Sequence, residues 1–90
     1  MNKAIITVVG KDQVGIIAKV CTYLSSVQIN VEDISQTIVQ GYFNMMMVAD
    51  IKGATKEFKG IKTDLNQLGE GLSCIINIQK EEIFDAMHRI

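Results

Sequence analysis

The chain has 90 residues, with nine Lys and Arg against ten Asp and Glu for a formal net charge of −1. One domain accounts for that length, and a content of 48% apolar and 21% charged residues without proline excludes a disordered or collagen-like chain. The lysines stand singly, so no concentrated field awaits a nucleic-acid backbone, and no apolar run approaches the roughly 18 residues that cross a bilayer; a cytoplasmic protein is expected.

The stretch "AIITVV" within residues 2–9 reads as a first strand punctuated by Gly10. Ile16, Ile17, Val20, Cys21, Leu24 and Val27 then recur at three- and four-residue steps, which predicts a helix over about residues 14–26 with Asp12 able to cap its start. "VEDISQTIVQ" and "FNMMMVADI" are rich in strand formers and flank "GY", so they predict a hairpin turning near Gly41. Phe58, Ile61, Leu65, Leu68 and Leu72 line one side of a second helix, which "GEG" is expected to end. "LSCIINIQ" gives a fourth strand, and "KEEIFDAMHRI" a short last helix with Ile83, Met87 and Ile90 on its stripe.

This order, βαββαβ with a C-terminal helical extension, predicts an α+β ferredoxin-like sandwich: a four-stranded antiparallel sheet with two helices on one face. The fold leaves the other face without a helix. Yet Ile5 and Val9, Met46 and Val48, and Ile75 alternate onto the face opposite to Ala4, Ile6, Val8, Met45, Met47 and Ile76. Apolar groups on both faces predict a cover, either a second subunit of a homodimer, the expected case, or the last helix.

"GKDQVG", residues 10–15, has the spacing of the front of a phosphate-binding loop, but Ile16 and Ile17 stand where lysine and serine or threonine are required, and no GxGxxG is completed. What remains is a glycine turn entering a helix whose first N–H groups are unpaired, a position that favours a small anion such as a carboxylate. Gly15 serves either that close approach or only a turn and tight helix packing. Asn30, at the start of the second strand, offers donor and acceptor to a partner's helix-start loop or ties down its own turn.

Other chemistry-bearing residues are read as structural. Glu32 and Asp33 are adjacent, so strand alternation sends them to opposite faces. Cys21 and Cys74 are far apart and sit in apolar patterns, which predicts small core residues. His88 has no ligand partners in reach, and the Met45–Met47 run fills core or interface. No metal site, cofactor or catalytic set is expected, and an enzyme is the least favoured class.

The segment "TVVGKDQVGIIAKVCTYLSSVQINVEDISQTIVQGYFNMMMVADI" resembles the ACT domain family: a strand, a DxxG loop at Asp12 to Gly15, an apolar helix, and an "IN" step at Ile29 and Asn30. The resemblance points to the small free-standing bacterial ACT proteins near the glycine cleavage repressor-like proteins, with an ACT domain over residues 1–79 and a helical extension over 80–90. It implies a regulatory module, a homodimer, an amino acid or similar small carboxylate held at the subunit interface, and a regulated protein partner. In that reading Asp12, Gln13, Val14, Gly15 and Ile16 line the site through backbone N–H groups, and Asn30 bonds the ligand or the opposing loop. Gln13 and Val14 depart from the arginine or asparagine followed by proline that many members carry there. A ligand-independent interaction or dimerisation module is the alternative.

Overall fold

The computed structural model describes residues 2–11 and 13–82. Its elements are β1 (Lys3–Lys11), α1 (Ile16–Ser26), β2 (Asn30–Val39), β3 (Tyr42–Asp50), α2 (Phe58–Leu72) and β4 (Cys74–Lys80). The strands form one sheet in the order β2-β3-β1-β4, with every neighbouring pair antiparallel. The expected ferredoxin-like arrangement is therefore present. Glu81 and Glu82 are helical, and the remainder of the expected last helix lies outside the described residues.

Strand alternation builds the core. Ala4, Ile6 and Val8 of β1, Phe43, Met45, Met47 and Ala49 of β3, and Ile76 and Ile78 of β4 are buried together with Ile16, Val20 and Leu24 of α1 and Ile61 and Leu65 of α2. Because β1 and β3 are the two inner strands, each receives partners on both sides and a helix layer above. The outer strand β2 is different: from Glu32 to Val39 every residue is exposed.

Four details differ from the sequence expectation. Gly10 lies inside β1 instead of ending it; it pairs with Cys74, and a Cβ there would lie 2.8 Å from Cys74 Sγ, so the glycine lets β1 and β4 approach. "GEG" lies inside α2, since Gly69 packs where a Cβ would meet Cys74 O at 2.7 Å. The helix ends instead at Ser73, which adopts the left-handed conformation with φ 56°. Cys21 and Cys74 are half-buried rather than wholly buried. The hairpin turns through Gln40 and Gly41 at φ 50° and 81°, the two positive values of a type I′ turn, whose twist matches the strands it joins.

Candidate functional site

Two ends of the sheet carry the residues singled out by the sequence. At one end, β1 finishes at Lys11 opposite Tyr42 and the chain passes through the β1–α1 loop. Asp12 lies outside the described residues. Gln13 is exposed, but its side-chain amide donates to the carbonyl of Leu72, the last residue of α2. Val14 is fully exposed.

Gly15 is the N-cap of α1 and adopts φ 90°, ψ 0°, a conformation that disfavours any residue with a Cβ. With no side chain it cannot cap the helix, and the N-cap position expected to lie near Asp12 is set by the backbone alone. Nothing lies within 4 Å of where a Gly15 Cβ would sit, so tight packing is not its purpose. Its carbonyl accepts the Lys19 N–H at 2.9 Å and starts the helix. Ile16 turns its side chain into the core and is 1% exposed, leaving only its backbone at the loop. No acidic residue stands in the first turn of α1, so the positive end of its dipole meets no carboxylate from the helix itself.

At the other end, Gln28 takes a left-handed turn at φ 62° and the chain enters β2 at Asn30, which pairs in register with Asp50 and stands exposed. Asn30 shares a hollow of about 440 Å³ with Cys21, Ser25, Gln28, Ile29 and Val31. The carbonyls of Leu24 and Ser25, at the negative end of α1, accept the N–H groups of Val27, Gln28 and Ile29. Asn30 and Gly15 therefore sit at opposite ends of the sheet, separated along β1 (Lys3–Lys11) by roughly 26 Å of strand rise. One chain does not bring them together.

The β2 edge adds two exposed apolar residues to those that strand alternation places on the open face. Ile34 and Ile38 pair with Met47 and Phe43, so they point to the helix side of the sheet, yet they are 43% and 58% exposed because β2 lies outside the helix layer. Their four-residue separation in a strand was the available signal. On the face opposite to the helices, Val9, Met46 and Ile75 are exposed, and Thr7, Val9, Ser35, Thr37, Asn44 and Met46 border a shallow hollow of about 420 Å³. Ile5, on that same face, is only 7% exposed.

A bulge between Val31 and Asp33 breaks the alternation expected for the acidic pair. Asp33 pairs with Val48 on the face away from the helices, and Glu32 reaches Lys3 on that face. The bond to Glu32 is the main cause that raises the Lys3 pKa. Burial pushes the Cys74 thiol up, away from a reactive thiolate. Among the described residues no group of three or more His, Cys, Asp and Glu is placed to hold a metal, and no helix is long and apolar enough to cross a membrane. His88 lies outside the described residues.

Comparison with known proteins bears on the whole of this arrangement. The ACT domain profile matches residues 2–79. A UPF0237 protein of Bifidobacterium longum is 60% identical over 90 residues, covering 100% of both chains. Among solved structures, an ACT domain protein from Streptococcus pneumoniae superposes with a TM-score of 0.81 at 42% identity, covering 96% of this chain and 97% of its own. A candidate glycine cleavage system transcriptional repressor shares the fold, with a TM-score of 0.76 at 23% identity over 87% of this chain and 44% of its own. The chain belongs to the ACT domain family.

Proposed function

We propose that this protein is a regulatory module that binds an amino acid or similar small carboxylate between two copies of itself, paired along their β2 edges. The carrying observation is the placement of Gly15 and Asn30 at opposite ends of the sheet beside a bare edge strand. A two-fold axis that joins β2 to a second β2 antiparallel sets the Asn30 end of one chain next to the Val39 end of the other. The β1–α1 loop hangs from that second end. Each chain thus supplies half of two equivalent sites.

The chemistry suits the ligand class. At one half, the backbone N–H groups that open α1 and the positive end of its dipole attract a carboxylate, and Gly15 leaves open space there. At the other half, the Asn30 amide supplies a donor and an acceptor near the negative end of the partner's α1. In this reading residues 12–16 act through the backbone, and the domain spans residues 1–79, with 80–90 as an extension. Ile34 and Ile38 would pack across the new edge, which turns an aggregation-prone strand into an interface. Amino-acid binding then stabilises one dimer surface for a regulated protein partner in the cytoplasm, with no cofactor and no reaction.

A panel of amino acids in a thermal-shift assay tests this. One compound should raise Tm, and Gly15→Val or Asn30→Ala should abolish the rise; no shift with any compound sinks the ligand reading. The exposed Val9, Met46 and Ile75 on the opposite face favour the second reading, a ligand-independent interaction module. It requires a partner or second copy on that face whose binding Met46→Lys removes.

A further inference from the structure

Gln13 ties the β1–α1 loop to a distant part of the chain through its side chain. Its amide donates to Leu72 O, across 59 positions of sequence, while Val14 beside it stands fully exposed and the Gly15 Cβ position is empty. Leu72 ends α2, so its carbonyl has no partner further along the helix. Cys74 Sγ donates to the same oxygen at 3.4 Å.

That carbonyl belongs to a tightly packed joint. Gly69 and Gly10 both lie where a Cβ would collide with Cys74, at 2.7 Å from its carbonyl oxygen and 2.8 Å from its sulfur. Ser73, between them, holds a left-handed turn and donates its N–H to Glu70 O at 3.2 Å. The end of β1, the end of α2 and the start of β4 therefore have little room to move independently. The β1–α1 loop reaches this joint through the Gln13 side chain, while Val14 beside it is fully exposed.

We propose that Gln13 is a positioning residue that couples the conformation of the β1–α1 loop to the α2–β4 turn, so that occupancy of the loop is read out at Leu72–Cys74. The coupling rests on the proposed site for its biological meaning, but the link itself is a property of the ligand-free chain. Its side chain is a strut to the turn rather than a ligand contact. In that reading the Gln13 backbone stays with the loop, and its side chain reports on the loop at the turn.

A double-mutant cycle read by amide hydrogen exchange tests the link with no ligand present. Gly15→Ala disturbs the loop by forcing a Cβ into φ 90°, and Gly15→Asn, which tolerates that region better, is a milder version should the alanine variant fold poorly. Gln13→Met removes the donor while keeping an unbranched side chain, and Gln13→Lys restores a donor. In the wild-type background the Gly15 substitutions should speed exchange at Ser73 and Cys74 about three- to tenfold after correction for global opening measured at Ile6 and Met47. In Gln13→Met that response should vanish, and in Gln13→Lys it should return in part. An equal response in the wild-type and Gln13→Met backgrounds, or none in either, overturns the proposal. Because the cycle uses no amino acid, its failure is distinct from a failure of the binding reading.

Discussion

A Cβ on Gly69 would lie 2.7 Å from the carbonyl oxygen of Cys74, so α2 and β4 touch backbone to backbone at that point. Such an approach couples the helix to the strand more closely than any side chain would allow. Gly71, two residues further along α2, has nothing within 4 Å of its Cβ direction. The two glycines therefore make opposite predictions. Gly69→Ala should lower stability by about 1–2 kcal/mol, because overpacking against a backbone atom outweighs the gain in helix propensity. Gly71→Ala should raise stability by about 0.5–1 kcal/mol, and chemical denaturation of the pair measures both signs.

Tyr23 of α1 donates to Asp64 of α2 at 2.6 Å, and Lys56 bonds the same oxygen at 2.5 Å. Lys56 first, and Tyr23 second, hold the Asp64 carboxyl below its ordinary range. A depressed folded-state pKa stabilises the fold above the unfolded carboxylate pKa, near 4, and that contribution is lost as pH falls through the folded value. Asp64→Asn should therefore flatten the acid limb of a Tm-against-pH curve below about pH 4. Tyr23→Phe should lower Tm near neutral pH by on the order of 3 °C, as loss of one half-buried hydrogen bond requires.

Gly15 needs its missing side chain for conformation rather than space, since its φ of 90° is positive while its Cβ direction is open. Gly15→Ala should cost about 1–2 kcal/mol in a denaturant melt with no cavity or clash to relieve. Gly15→Asn should recover part of that loss. Equal stability of all three proteins would show that the loop is free to choose another conformation.

The exposed Ile34 and Ile38 predict the mode of association. Ile34→Lys and Ile38→Lys should each weaken dimerisation by on the order of tenfold in sedimentation equilibrium, and together they should give a monomer. Met46→Lys, on the opposite face, should leave the dimer of the proposed function intact.

Periodicity made the fold readable. Ile16, Val20 and Leu24 of α1 and Ile61 and Leu65 of α2 fall at helical steps, and Ala4, Ile6 and Val8 alternate in β1, because each set faces one common core. Glycine is the residue type whose role depends most on partners distant in sequence. Gly10 and Gly69 look like breakers in one dimension, and only the partner at Cys74 reveals that they permit close approach inside β1 and α2. The bulge at Val31/Asp33 was hidden for a similar reason, since it is defined by the register with β3. At the candidate site, the glycine turn before an apolar helix was legible from Gly15 alone. The tie from Gln13 to Leu72 spans 59 positions and has no local signature.

Subunit complementation tests the shared site most directly. Gly15→Val and Asn30→Ala chains, each purified alone, should show no thermal response to the amino acid that stabilises the wild type, since every site in either homodimer lacks one half. Unfolded, mixed and refolded together, they should form mixed dimers in which the intact Asn30 of one chain faces the intact Gly15 of the other, and one binding site per mixed dimer should return in calorimetry. Mixed dimers verified by mass that bind no more than either parent, or a single variant that binds as the wild type does, would contradict the account.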